Sequence, residues 1–157
     1  MKQKKWRIAV LYGGDSSERD VSLKTGEAVA AALDQRGHHV RPIDVRERNL
    51  EPLDDFECDI AFIALHGAFG EDGEVQLLLE MRGIPYTGSD VESSRLAMDK
   101  PAAKARFTAN GIPTPECFVL EDTSDADERR AAAVSIGFPQ IIKPAREGSS
   151  EGVAVAR

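Results

Sequence analysis

Residues 59–65 (D-I-A-F-I-A-L) form the clearest strand that the sequence predicts. They contain the longest apolar run in the chain, residues 60–65, and they end at His66-Gly67. An apolar run without polar alternation is typical of a strand buried on both faces of a sheet. Nearer the start, residues 7–12 (R-I-A-V-L-Y) form a second short apolar run, which Gly13-Gly14 interrupts. Each run predicts a buried strand.

Helical patterns and weaker strands alternate with these two runs. The helices are predicted over residues 22–36 and 75–81, and each is followed by a glycine that can end it. The weaker strands are predicted over residues 39–45 and 84–87. Repeated β-α units with buried strands predict an α/β fold with a parallel, doubly wound sheet, which extends to about residue 97.

The character of the sequence changes after residue 98. Asp99 can cap a helix that ends at Gly111. A strand over residues 117–120, an acidic helix over residues 125–136 and an apolar hairpin around Ile141 are predicted to follow. We therefore predict two domains, residues 1–98 and residues 99–157. Met98 and Phe107 are predicted to occupy helical core positions.

The composition excludes several classes of function. A net charge of −7 and a pI near 5.0 argue against a general nucleic-acid or membrane-surface role. No apolar run is long enough to cross a bilayer. The basic start, residues 2–7, is predicted to be solvated. Cys58 and Cys117 lack metal-type spacing, so we expect two buried thiols in a reduced, cytoplasmic protein without a metal site.

Residues 141–153 (I-I-K-P-A-R-E-G-S-S-E-G-V) have the features of a phosphate-binding loop on a hairpin. Lys143 supplies a mobile positive charge, and the small residues Gly148, Ser149 and Ser150 can present successive backbone N–H groups to an anion. The residue order differs from that of a P-loop, and no helix pattern follows. Lys100 is a second candidate for a phosphate contact, although a lone lysine at a helix start is usually exposed to solvent.

Two polar loops follow predicted strands, where ligands of open α/β sheets bind. Residues 13–22 contain Glu18, which can receive an ammonium group, and residues 66–73 contain His66, which can hydrogen-bond a carboxylate. In the structural alternative, Glu18 caps the helix or pairs with Arg19, and His66 satisfies a buried carbonyl. Spacing alone favours that alternative. A dinucleotide site is disfavoured because the G-x-G-x-x-G spacing is absent.

Five motifs together resemble those of D-alanine–D-alanine ligases, in the order and at the approximate spacings of that family. They are residues 13–23 (GGDSSERDVSL), 64–73 (ALHGAFGEDG), 85–89 (PYTGS), 98–100 (MDK) and 143–150 (KPAREGSS). The resemblance covers nearly the whole chain. It implies a pre-ATP-grasp, Rossmann-like N-terminal domain, followed by the opening part of an ATP-grasp α+β domain.

The resemblance implies an activity and assigns residues to it. The family uses ATP to join two D-alanines for peptidoglycan synthesis, through an acyl phosphate. Glu18 would hold the ammonium group of the first D-alanine, and His66 would help to orient its carboxylate. Lys100 and Lys143 would contact the ATP phosphates. The loop of Gly148, Ser149 and Ser150 would close over them, with Ser149 also hydrogen-bonded to Glu18.

The sequence departs from the family at Glu151, where the family usually has a small apolar residue. A carboxylate near a triphosphate is unfavourable, so we expect Glu151 to face outward. The family's Mg²⁺ ligands, its oxyanion-stabilising arginine and most of its adenine pocket lie beyond position 157. We therefore expect this polypeptide alone to lack ligase activity and to bind ATP weakly or not at all. The resemblance also implies a homodimer.

Two alternatives stay open on the sequence. The second substrate can be D-lactate or D-serine, because the loop that selects it in the family lies beyond Arg157. The chain can also be a short, non-catalytic binding or regulatory protein derived from the ligase. A reading frame that continues into acidic metal ligands favours the ligase, whereas a stop codon after Arg157 favours the binding protein.

Overall fold

The computed structural model describes residues 4–157. Lys2 and Gln3, which belong to the predicted solvated start, lie outside the described residues. The described chain divides into two compact units, and the division falls between Arg95 and Leu96. The predicted domain boundary at residue 98 lies close to this division.

The first unit contains a parallel sheet of three strands. They are β1 (Arg7–Gly13), β2 (His39–Val45) and β3 (Ile60–Ile63), in the order β2-β1-β3 across the sheet. The central strand, β1, is paired in parallel on both sides. The carboxyl ends of β1 and β3 therefore lie at one edge of the sheet.

The register of the sheet places Leu11 of β1 opposite Ile43 of β2 and Ile63 of β3. The prediction of a strand over residues 84–87 was wrong in its length. It is reduced to one parallel bridge that joins Tyr86 to β3. The proline within this segment has no N–H group with which to extend the ladder.

Three α-helices and one short 3₁₀ helix begin in the first unit. They are α1 (Arg19–Gln35), the 3₁₀ helix (Glu51–Leu53), α2 (Glu74–Met81) and α3 (Val91–Met98). The helix α1 begins three residues before its predicted start, because the Glu18 carbonyl already accepts the N–H groups of Val21 and Ser22. The helix α3 was not predicted. Its apolar residues are few, and the Asp90 carboxylate stabilises its first turn by accepting the Ser93 N–H.

Side chains of β1 alternate between two buried clusters on opposite faces of the sheet. Ala9 and Leu11 pack in one cluster with side chains of α2, whereas Ile8 and Val10 pack in the other with side chains of α1. Burying an aliphatic side chain of this size contributes about 1.5–3 kcal/mol. Helices thus cover both faces of the sheet, and the predicted α/β, doubly wound fold class is confirmed.

Gly26 allows α1 to approach the sheet closely. A Cβ atom on this residue would lie 2.3 Å from the Cβ atom of Tyr12 in β1. No larger side chain fits in this space without displacing the helix or the tyrosine.

The second unit contains two helices and a hairpin. They are α4 (Lys100–Ala109), α5 (Ala126–Ile136) and the antiparallel pair β4 (Gln140–Ile142) and β5 (Ala154–Ala156). These elements confirm the two helices and the hairpin that the sequence predicts here. The predicted cap of α4 is also present, because the Asp99 carboxylate accepts the Ala102 N–H at 3.1 Å.

Several predictions for apolar segments were wrong. Residues 117–120 are not a strand, because no strand within residues 4–157 pairs with them, and Phe118 is 48% exposed. Phe107 is 41% exposed rather than a core residue. Cys117 is exposed and Cys58 is only partly buried, so neither is the buried thiol that we expected. None of the helices described in residues 4–157 has the length and apolar character needed to span a membrane.

Candidate functional site

The candidate site of the first unit lies at the carboxyl ends of β1 and β3. We call residues 14–18 the first loop and residues 64–73 the second loop. Each loop follows its strand directly, so the parallel register brings both to the same edge of the sheet. Ligands bind at this edge in open α/β sheets.

A buried hydroxyl connects the two strand ends to α1. The Oγ atom of Ser22 accepts the Gly13 N–H at 2.9 Å and donates to the Ala64 carbonyl at 2.7 Å. Ser22 is fully buried. The first turn of α1 is therefore fixed to the ends of both β1 and β3.

The Glu18 carboxylate lies against the second loop. Glu18 occupies the residue position before α1, but its side chain makes no capping hydrogen bond, so the helix-capping alternative was wrong. Its Oε2 atom lies 2.8 Å from the position that a Cβ atom would have on Gly67. The carboxylate thus occupies the space that a side chain at position 67 would fill. Gly67 also has a positive φ of 70°. Glu18 and the residue after His66 are in contact.

The His66 ring points toward α1. Its Nε2 atom lies 3.2 Å from Oγ1 of Thr25, and its Nδ1 atom lies 3.7 Å from a carboxylate oxygen of Glu71. The Thr25 hydroxyl also lies 3.0 Å from the Val21 carbonyl, and the tautomer of the imidazole decides which atom donates between Thr25 and Nε2 of His66. The two ring nitrogens thus face a hydroxyl and a carboxylate, and the alternative in which His66 satisfies a buried carbonyl was wrong.

Glu18 and His66 lie on the same side of α1. Thr25, which contacts the His66 ring, follows Glu18 by seven residues, and residues at this spacing share one face of a helix. The Glu18 carboxylate contacts the second loop from that same face. The Glu18 carboxylate and the His66 ring therefore both lie where the start of α1 meets the second loop. About 30% of the His66 side chain is exposed.

Arg19 binds a different carboxylate. Its guanidinium donates to Asp44 of β2 at 2.8 Å and to the Gly14 carbonyl at 2.9 Å. Arg46 also binds Asp44. The hydrogen bond from Arg19 is the main cause that lowers the pKa of Asp44, against the opposing effect of burial. Asp44 thus fixes the Arg19 side chain, which in turn holds the Gly14 carbonyl of the first loop.

The loop between β4 and β5 forms the candidate site of the second unit. The Gly148 carbonyl accepts the Glu151 N–H at 2.9 Å, and the two residues between them, Ser149 and Ser150, have positive φ angles of 45° and 63°. This is the geometry of a type I′ turn, which residues other than glycine, asparagine and aspartate adopt at a cost in energy. Lys143, Ser149, Ser150 and Glu151 are all exposed.

Lys100 is connected to this loop rather than directed into solvent. Its ammonium group donates to the Glu147 carbonyl, and its backbone N–H donates to the Ala145 carbonyl. Asp99 adds an ion pair with Arg146 at 3.0 Å. The hydrogen bond from the Ala102 N–H is the main cause that lowers the pKa of Asp99, and the hydrogen bond from Arg146 lowers it further.

The chemistry of several groups in the second unit suits a polyphosphate. Lys100 provides positive charge at the loop, and Lys143, Ser149 and Ser150 are exposed. No comparable set of ligands for a metal ion is found among the described residues. Within residues 4–157, no group of three or more His, Cys, Asp or Glu side chains is arranged to hold one.

Comparison with known proteins identifies the family. A family model described as D-ala D-ala ligase N-terminus matches residues 7–52 and 47–89, more than half of the chain. The chain belongs to this family. The D-alanine–D-alanine ligase of Desulforudis audaxviator (strain MP104C) is 51% identical over 149 residues, which are 95% of this chain and 48% of that protein. The family resemblance stated from the sequence is confirmed.

Solved structures of the family have the same fold. The D-alanine–D-alanine ligase from Bacillus anthracis complexed with ATP is 37% identical, with a TM-score of 0.81 over 98% of this chain and 49% of that one. VanG D-Ala:D-Ser ligase from Enterococcus faecalis is 26% identical, with a TM-score of 0.80 over 97% of this chain and 55% of that one. The chain spans about half the length of these relatives.

The connecting residues of the site were not found from the sequence. Ser22 was assigned to the end of a polar loop and the start of a helix, Thr25 only to that helix, and Gly67 only to a polar loop. For Ser22 and Thr25 the spacing after Glu18 was a usable signal, because residues four and seven positions further along a helix lie on the same face. Their partners on the second loop depend on strand register, which no local pattern specifies.

Proposed function

We propose that this chain takes part in the ATP-dependent joining of two D-alanines into D-alanyl-D-alanine for peptidoglycan synthesis. One observation carries the proposal: Glu18 and His66 both lie where the start of α1 meets the second loop, at the carboxyl edge of the sheet, in a chain of the ligase family. The relatives named above have this activity or a close variant in their names.

In this proposal the first unit binds the first D-alanine by its two charged ends. A free amino acid carries an ammonium group and a carboxylate on one carbon atom, so it requires an acceptor and a donor close together. The Glu18 carboxylate accepts from the ammonium group, and the His66 ring orients the carboxylate. Charge-assisted hydrogen bonds of this kind are about twice as strong as neutral ones and fix the orientation of the reacting group.

The second unit binds the phosphates of ATP in this proposal. Lys100 and Lys143 neutralise charge while the γ-phosphoryl group moves to a carboxylate oxygen of the first D-alanine, which yields an acyl phosphate and ADP. The turn at Gly148, Ser149 and Ser150 donates backbone N–H groups and excludes water that would hydrolyse the acyl phosphate. The amine of the second D-alanine then attacks the acyl carbon, loses a proton, and inorganic phosphate leaves.

Magnesium, a homodimer and a cytoplasmic location belong to this proposal as well. Mg²⁺ would accompany ATP, and within residues 4–157 no group of three or more His, Cys, Asp or Glu side chains is arranged to hold it. The free thiols of Cys58 and Cys117 agree with a reduced compartment.

A second candidate keeps the first substrate and changes the acceptor to D-serine or D-lactate. The likeness to VanG D-Ala:D-Ser ligase keeps D-serine as a candidate acceptor, because that protein has the same fold over nearly all of this chain. The two candidates make the same prediction for Glu18 and His66, since both use D-alanine as the first substrate.

Titration of the ¹⁵N-labelled chain with D-alanine tests the proposed function. We expect saturable changes in the amide resonances of Glu18, His66 and Gly67, and weaker changes with L-alanine. Glu18→Gln removes the negative charge that receives the ammonium group, and we expect it to weaken binding about 10-fold to 150-fold, because a hydrogen bond to a charged group contributes about 1.5–3 kcal/mol. Glu92→Gln, on the exposed face of α3, is the matched control.

Two results would contradict the proposal. One is the absence of any saturable change with D-alanine in the wild-type chain. The other is equal affinity of the wild-type and Glu18→Gln chains.

A further inference from the structure

A single side-chain oxygen lies between the backbones of Glu18 and His66. The Oγ atom of Ser16 donates to the His66 carbonyl at 2.7 Å and accepts the Glu18 N–H at 3.2 Å. A serine hydroxyl has one hydrogen to donate and lone pairs with which to accept, so both bonds form at once. The two segments that carry the candidate substrate contacts are thus connected through one atom.

The two hydrogen bonds of the Ser16 hydroxyl are not explained by a local turn alone. The bond from the Glu18 N–H to Ser16 spans two residues and by itself is the ordinary turn that serine forms with its own backbone. The bond to the His66 carbonyl, however, spans fifty residues. A serine that served only the first loop would not need this second partner.

Ser16 also fixes the start of the helix and the surroundings of the carboxylate. Its backbone carbonyl accepts the Arg19 N–H at 3.1 Å. Its Oγ atom lies 3.1 Å from the position that a Cβ atom would have on Gly67, beside the Oε2 atom of Glu18 at 2.8 Å. The hydroxyl and the carboxylate therefore occupy the same small space above Gly67.

We propose that Ser16 is a positioning residue, whose hydroxyl sets the distance between the Glu18 carboxylate and the His66 ring. It does not touch the substrate itself. Ser22, six residues after Ser16, also connects α1 to the segment after β3, but it binds the strand ends at Gly13 and Ala64. Ser16 instead acts on the two residues that would contact D-alanine, and in this respect the inference rests on the proposed function.

Ser16→Ala in the full 157-residue chain tests this role with two readouts. Hydrogen exchange of the Glu18 amide should accelerate at least about tenfold, and D-alanine affinity should fall by about tenfold, because both substrate contacts lose their common support. Ser16→Thr keeps the hydroxyl and should restore both values to near the wild-type level. The control is Ser94→Ala, which removes another hydroxyl bound to a carbonyl in the first unit and should change neither.

The exchange readout needs no ligand, so it separates this proposal from the proposed function. If the Glu18 amide exchanges at the wild-type rate in Ser16→Ala, or if that variant binds D-alanine as tightly as wild type, the positioning role is overturned. If wild type fails to bind D-alanine, the proposed function fails, and the exchange rates of Ser16→Ala and Ser16→Thr alone decide the role of Ser16.

Discussion

Gly67→Ala is expected to weaken D-alanine binding by at least about tenfold. The new Cβ atom would lie 2.8 Å from Oε2 of Glu18 and 3.1 Å from Oγ of Ser16, so both side chains must move. A displaced carboxylate loses most of a charge-assisted contact, for which about 1.5–3 kcal/mol corresponds to roughly 10-fold to 150-fold in affinity. Calorimetric or NMR titration of the variant with D-alanine measures the effect.

A second glycine separates this effect from backbone strain. Gly83 has a φ of 65°, close to the 70° of Gly67, and nothing lies within 4 Å of its Cβ position. Gly83→Ala therefore has the same left-handed strain, about 1–2 kcal/mol, without any contact with Glu18. We expect it to lose stability but to bind D-alanine normally. If both variants lost affinity equally, the contact with Glu18 would not be the cause.

Ser22→Ala is expected to reduce the free energy of unfolding of the first unit by about 2–4 kcal/mol. The substitution leaves the Gly13 N–H and the Ala64 carbonyl without their shared partner, in a place where Ser22 is fully buried. Each unsatisfied buried group costs about 1–3 kcal/mol. Urea unfolding followed by the fluorescence of Trp6 reports on this unit, because Trp6 is the chain's single tryptophan and directly precedes β1.

The matched control for this substitution is Ser94→Ala. Ser94 is also buried, but its hydroxyl makes one long hydrogen bond, 3.4 Å, to the Ser89 carbonyl. We expect it to cost less than about 1 kcal/mol. A loss of less than 1 kcal/mol for Ser22→Ala would show that Gly13 and Ala64 find other partners, and that this hydroxyl does not hold the strand ends.

The sequence predicted the elements whose residues carry their own signal. The apolar run at residues 60–65 indicates a buried strand, which is observed over Ile60–Ile63, and Asp99 marks the start of α4 by its own capping chemistry. Residues 117–120 carry an equally apolar pattern but form no strand, because a strand also requires a neighbour with which to pair. The helix α3 was missed since its few apolar residues give no clear period.

The meeting of the two loops could be predicted from the sequence, but their supporting contacts could not. The rule that loops at the carboxyl ends of parallel strands meet needs only the order of the elements. The roles of Glu18 and His66 come from the family resemblance and stay predictions. The hydroxyls of Ser16 and Ser22 have partners about fifty and forty residues away. Such pairs depend on the register between β1 and β3. In the second unit, the contact of Lys100 with the Glu147 carbonyl depends likewise on tertiary structure.

A crystal structure of the 157-residue chain with D-alanine tests most directly whether Glu18 and His66 together bind an amino acid by its two charged ends. We predict the ammonium nitrogen at hydrogen-bond distance from the Glu18 carboxylate, with the D-alanine carboxylate directed toward the His66 ring. D-alanine bound away from the edge formed by β1 and β3, or bound there with its carboxylate toward Glu18, would contradict this assignment.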